Sequence, residues 1–317
     1  MDAAATGSWI AAPPGADEHL RKPPPLAPGI RDAARPLPPL DAPLRLVAAE
    51  LASRADQGDA RAACRLAAEY EWCDALHAAR STAAVRVARL PPLETRQPAT
   101  QDIFADERQA ARVDLDVAER RFASHCADAP PLGAARRVGY WRQAALWRHP
   151  AALRHYTVGN AFRFHDLLDV LPELERYRRE AGALALRAAN AGDPAMIYAL
   201  AMAHAEGSDG RHRPFLAQTL PPDAGRALVW FRRLKATPAV QRLPETHVLR
   251  REIDRYLPLL SSLVSPDELR RAEAALAGYR APAGEDFVPL PPMYANGGLV
   301  DVGRNDCERE RGQRGAG

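Results

Sequence analysis

Three times along this chain an alanine-rich run stops at a short polar turn and a second alanine-rich run starts at once. The stretches Arg54-Ala55-Asp56-Gln57-Gly58-Asp59-Ala60, Ala144-Ala145-Leu146-Trp147-Arg148-His149-Pro150 and Ala188-Ala189-Asn190-Ala191-Gly192-Asp193-Pro194 align position by position. Glycine ends a helix because it enters the left-handed conformation without a Cβ penalty. Asp-Pro opens one, because the carboxylate caps free amides and proline has no amide to lose. Corners repeated in this way predict a stacked array of helical hairpins, each burying its apolar face against its neighbours.

Composition agrees with that expectation. Hydrophobic residues make up 47% of the 317, yet aromatics only 6%. Alanine supplies much of the apolar count, as closely packed helices require. The formal net charge of +3 comes from 43 basic and 40 acidic residues, so no field of one sign extends over the chain. Arginine doublets recur at Arg136-Arg137, Arg178-Arg179, Arg232-Arg233, Arg250-Arg251 and Arg270-Arg271, each with acids nearby. That pattern reads as a solvated helix face, and no nucleic-acid partner is expected.

No stretch approaches the ~20 apolar residues needed to cross a bilayer, so no membrane span is expected. Met1 to Ala12 carries Asp2 where a secretory leader would be basic, and has no sustained apolar run before Pro13. This favours the cytoplasm, whereas a start codon further upstream would be compatible with the periplasm. The cysteines bear on the same question. Cys64 and Cys73 sit on one predicted helix, roughly 13 Å apart along its axis, too far to pair with each other. Cys126, at the end of the next long helix, is the natural partner for Cys73, leaving Cys64 buried and Cys307 in the tail. Free buried thiols also fit the pattern. A Cys73–Cys126 disulfide would imply an exported protein.

Prolines crowd Pro13 to Pro43 and recur at Pro282, Pro289, Pro291 and Pro292, removing amide donors and disfavouring helix in the residues before them. Three regions follow: a disordered proline-rich segment 1–42, a helical repeat domain 43–280 and a disordered tail 281–317. Within the domain, Asp41 is the expected cap of a first helix that ends at Gly58. Gly58 to about Ala79 carries one apolar stripe, and a long amphipathic helix is expected over Gln101 to His125. Ala134 to Arg148 forms another, Pro172 to Gly207 holds two more, and Asp223 starts one ending near Ala236. Ser265-Pro266-Asp267-Glu268 reads as a capping box.

Gly192, Asp193, Met196, Leu200, Ala201, His204 and Gly207, followed by Asp223, Ala227, Trp230 and Phe231, resemble a SEL-one-like repeat, a relative of the tetratricopeptide repeat. Gly58, Asp59, Ala62, Leu66, Ala67 and Tyr70 match its first helix, with Cys73 in place of the closing glycine. Pro150 to Gly159 matches in part, its glycine coming a turn early. Pro150 and Pro194 stand one repeat length apart and Ala60 and Pro150 about twice that, so a degenerate unit is expected in the middle. The resemblance implies an all-α fold, an α-solenoid of antiparallel helix pairs in which Ala67, Ala201 and Ala227 allow close approach. Leu66, Leu200, Trp230 and Phe231 would fill the seam.

The same resemblance implies a non-catalytic scaffold or adaptor holding another protein or peptide, and no cofactor. Aromatics crowd one junction, at Trp141, Trp147, Tyr156, Phe162 and Phe164, and either form the partner surface or pack in the core. Cys73, His77, His125 and Cys126 contain the residue types of a zinc set, but not a known ligand spacing. His149, His155, His165 and His204 do not share a helix face, and Asp166, Asp169, Glu173 and Glu175 read as acids at a helix start. No zinc-protease, phosphate-loop, dinucleotide or serine-elbow motif is present. An exported, disulfide-stabilised envelope protein is the alternative reading, and a metal-dependent enzyme a third.

Overall fold

The computed structural model describes residues 35–90, 105–205, 214–277 and 302–308, and every regular element among them is helical. In chain order these are α1 (Leu44–Asp56), α2 (Ala60–Arg89), α3 (Ala105–His125), α4 (Ala134–Leu146), α5 (Pro150–Val158) and α6 (Leu171–Asn190). They continue as α7 (Pro194–Ala205), α8 (Ala224–Lys235), α9 (Pro238–Gln241), α10 (Val248–Leu263) and α11 (Pro266–Ala275). Short 3₁₀ turns occur at Phe164–Val170, Leu216–Gln218 and Arg304–Glu308.

The three aligned corners adopt one geometry. The residue at the glycine position is left-handed in each, with φ of 101° at Gly58, 66° at Arg148 and 88° at Gly192. The next amide reaches back to close the finished helix, from Asp59 to the Arg54 carbonyl at 3.0 Å, from His149 to Ala144 at 2.9 Å and from Asp193 to Ala188 at 3.1 Å. That same residue then caps the new helix. Asp59 accepts from the Arg61 and Ala62 amides, Asp193 from those of Ala195 and Met196, and His149 Nδ1 from that of Ala152. In the middle corner an imidazole replaces the capping carboxylate and an arginine replaces the glycine, without changing the path of the chain.

The corners join α1 to α2, α4 to α5 and α6 to α7, and each pair packs together. α4 lies on α2, α6 on α5, and α8 between α7 and the pair α10 and α11. Ala67, Ala201 and Ala227 are buried, with Leu66, Leu200, Trp230 and Phe231 buried beside them. Met196 and His204 are buried too, and His204 donates Nδ1–H to the Pro221 carbonyl at 3.0 Å. The capping box at Ser265 and Glu268 is formed.

Several boundaries differ from the sequence reading. α2 does not stop near Ala79 but runs 30 residues to Arg89, since neither glycine nor proline interrupts it before Pro91. It packs along α3, and this long pair occupies the interval where a further repeat unit was expected. Pro43, not Asp41, stands before the first helical residue. Part of each supposedly disordered end is ordered. Leu37 is buried, and Arg54 donates to the carbonyls of Arg35 and Pro36, both at 2.9 Å. Residues 302–308 pack on α2 and α5, far back along the chain. Residues 1–34 and Gly207 lie outside the described residues.

The shared corner geometry generates a test. Arg148 is exposed and carries a Cβ where its two counterparts have none. Relieving a left-handed non-glycine residue recovers ~1 kcal/mol, partly offset by the greater freedom of glycine in the unfolded chain. Arg148→Gly is therefore expected to raise the thermal midpoint by one or two degrees, and Gly192→Ala to lower it. A fall in midpoint with Arg148→Gly would break the equivalence.

Candidate functional site

Glu69 and Glu71 lie two residues apart on α2, a spacing that turns their side chains to opposite flanks of a helix. Both are fully buried, so each must find its partners inside the protein. Around Glu71, the Trp141 indole donates to Oε1 at 2.9 Å, His155 Nε2 lies 3.1 Å from Oε2, and Arg163 pairs with Oε2 at 3.0 Å. Arg137 approaches at 3.9 Å and bridges outward, donating to Asp74 at 3.0 Å and to Asp166 at 2.6 Å. Burial pushes the Glu71 carboxyl upward, but His155, Arg163 and Arg137 together outweigh it and hold the group below the usual range. At Asp74 burial wins over Arg137, and the carboxyl is raised.

This cluster fixes the segment after α5. Gly159 ends that helix at φ 92°, where a Cβ would fall 2.4 Å from Phe215 Cβ, so no larger residue fits without displacing the aromatic. The chain leaves the helix after nine residues and enters the 3₁₀ turn Phe164–Val170. Arg163 is tied to Glu71 at the start of the turn, Asp166 to Arg137 one step on, and Val170 is buried at its end. Along this stretch the exposed positions are mixed, with the polar His165 and Asp169 beside apolar side chains. Phe164 is 71% exposed, Leu168 84% and Leu171 47%, forming an apolar ledge in which Leu168 and Leu171 stand three residues apart on one side of the 3₁₀ turn and Phe164 stands at its start. Asp169 and Glu175 are exposed beside them. Chemically this surface offers apolar area on a rigid support, ~1.5 to 3 kcal/mol for each side chain that a partner would bury completely.

The other flank of α2 holds the chain ends. Arg65 donates to Glu69 at 2.6 Å and to Glu308 at 2.9 Å, and His125 Nε2 lies 2.7 Å from Glu69. Burial raises the Glu69 carboxyl, and His125, Arg65 and Arg304 more than reverse that. Cys64 is bonded to Cys307 and Cys73 to Cys126, with Cα–Cα separations of 5.5 and 5.6 Å. The first bond corrects the assignment of Cys64 and Cys307 as unpaired thiols. His149 Nε2 donates to the Cys307 carbonyl at 3.1 Å, so one imidazole caps α5 with Nδ1 and holds the 302–308 segment with Nε2.

Three of the five aromatics expected at a groove are interior. Trp141, Tyr156 and Phe162 are fully buried, and Tyr156, Phe162, Tyr177 and Phe215 pack ring against ring. Trp147 is half-buried against the core, and Phe164 alone of the five is exposed. The zinc set does not assemble, because Cys73 and Cys126 are spent on each other and His125 serves Glu69. His155 joins Glu71, His149 joins Cys307 and His204 joins Pro221, so these histidines occupy separate places. No helix among the described residues is long and apolar enough to cross a membrane. Leu168 and Leu171 carry the site's exposed area and stand out in the sequence only as leucines in an acidic stretch. Comparison with protein-family models, curated proteins and solved structures found no match for the chain.

His149 gives this region a pH dependence. Burial, aided by Arg61 and Arg154, lowers its pKa to about 4 against the pull of the Cys307 carbonyl. The folded chain then binds fewer protons than the unfolded one between about pH 6.5 and 4, so acid within that window destabilises the fold. From pH 7 to 5 the loss from this group amounts to about 2 kcal/mol. His204, also lowered by burial, adds to it. Glutamine keeps a donor near the Cys307 carbonyl but cannot titrate. Unfolding free energies from denaturant titration are expected to fall less between pH 7 and 5 for His149→Gln than for the parent, by that amount.

Proposed function

We propose that this chain is a non-catalytic protein-interaction scaffold, an α-solenoid of SEL-one-like hairpins that presents the Phe164, Leu168 and Leu171 ledge to another protein or peptide. The observation that carries the reading is the exposure of these three side chains on a segment anchored by buried ion pairs at Arg163 and Asp166. Exposed apolar residues grouped on a fixed support mark interaction surfaces, whereas singly scattered ones do not. Preorganisation matters here, since a surface already ordered does not lose loop entropy on binding.

A second reading concerns where the protein works. All four cysteines are paired in two bonds, one of them spanning most of the chain. Disulfides of this structural kind persist in oxidising compartments, which favours an exported, envelope-associated protein. The two readings combine into an exported scaffold.

Each has its own test. With a photo-crosslinking amino acid replacing Leu168, a discrete adduct is expected in cells of the native host, and none with the same group at exposed Leu46 on α1. Adding Phe164→Ala and Leu171→Ala should abolish the adduct, and equal labelling at both positions would refute the ledge. Thiol titration of the unreduced, denatured protein should find no free thiol, and four would remove the support for export.

A further inference from the structure

Arg304 belongs to the 302–308 segment, and its guanidinium sits in a complete receptor. The guanidinium carbon lies 3.8 Å from the centroid of the Trp72 ring. Nη1 donates to the Leu40 carbonyl at 2.9 Å and to Glu69 at 3.2 Å, and lies 3.1 Å from His125 Nε2. An aromatic face, a fully buried carboxylate and a backbone carbonyl are the complement of a planar, delocalised cation. The receptor is built from three places in the chain, Leu40, α2 and the end of α3, and Trp72 is itself held edge-on by the His125 ring. Its occupant is held differently. Beyond Arg304, the segment is fastened by Cys307 to Cys64, by the Cys307 carbonyl to His149 and by Glu308 to Arg65.

We propose that Trp72, Glu69 and the Leu40 carbonyl, with His125 holding the first two in place, form an arginine-recognition site that Arg304 occupies in cis. Opening the Cys64–Cys307 bond exchanges that arginine for one carried by a second protein. The opening is a two-electron reduction by a dithiol. One dithiol sulfur attacks, the bond between Cys64 and Cys307 breaks, and a mixed disulfide forms. The second dithiol sulfur displaces it, leaving two cysteine thiols and an oxidised dithiol ring, with the two protons passing from the dithiol to the cysteines. Both cysteines are buried, so attack follows local lifting of the short segment. While the bond stands, the tether keeps Arg304 at an effective concentration that a free arginine cannot match. Reduction lowers that concentration, and the site opens to competition. This goes beyond the ledge and does not depend on it.

Two measurements decide the matter. In Arg304→Ala, the full oxidised chain should melt lower than the parent, and ethylguanidinium should restore several degrees of the loss while ethylammonium should not. Trp72→Ala added to that variant should cancel the rescue. Second, the peptide acetyl-Gly-Arg-Asn-Asp-amide should bind the dithiol-treated parent, provided circular dichroism shows its helices intact, at least tenfold more tightly than the oxidised parent. The same peptide with lysine for arginine should bind at least tenfold more weakly. Absence of rescue, or rescue by ethylammonium equally, overturns the arginine site. Equal binding to oxidised and reduced protein overturns the redox gate. Should Arg304→Ala fail to fold, the peptide measurement on the parent decides alone, and no preference for arginine over lysine refutes the proposal.

Discussion

Glu71 remains ionised inside the protein, and that state is tolerable only because groups from three other places converge on it. Trp141 and Arg137 come from α4, His155 from α5, and Arg163 from the chain just beyond. Removing any one cation leaves a buried charge less than fully compensated, at a cost of several kcal/mol. Shape alone would let α4 and α5 slide on α2. The carboxylate does not, because sliding by a turn of either helix would separate it from its partners. The exposed ledge is a consequence of this constraint, since the cation that enters the interior is the residue immediately before Phe164.

Glu69 plays the corresponding part on the other flank, and the two carboxylates sort what α2 receives. One side takes α4 and α5, the other the end of α3, the 35–40 stretch and residues 302–308. Buried ion pairs contribute little net stability compared with apolar packing of equal volume. Stability here has other sources: the continuous apolar core, and a disulfide whose loop spans 243 residues. By the chain-entropy account such a loop closure is worth ~5 kcal/mol. The ion pairs decide which surfaces meet, and the core and disulfides keep them together.

The helical class and the corners were legible because they rest on local chemistry. Gly58 and Gly192 mark left-handed positions, Asp59 and Asp193 cap, and Ser265 with Glu268 closes a box, all within a few residues. Cys73 and Cys126 could be matched because Cys73 cannot reach Cys64 on its own helix and Cys126 ends the next long helix. Long-range pairing was not legible in the same way. Nothing near Cys307 or Arg304 in the sequence announces a return to α2, and a proline-rich, charged tail suggests the opposite. Aromatic crowding was visible but its direction was not. Trp141, Tyr156 and Phe162 point inward while Phe164 points out, and the difference lies in an ion pair between Arg163 and a glutamate more than ninety positions earlier.

The stretch that follows the early end of α5 carries three exposed large apolar side chains, Phe164, Leu168 and Leu171. α7 continues for 12 residues after its corner, but α5 stops after nine, at a glycine pressed against Phe215. A further turn of α5 would continue inward packing past Gly159. Truncation instead releases a segment whose alternate sides face different surroundings, with Val170 directed into the core and Leu168 into solvent. Local consistency is relaxed here and replaced by the buried charges around Glu71. Where a fold relaxes its own rule and restrains the result with expensive interactions, function is the expected reason.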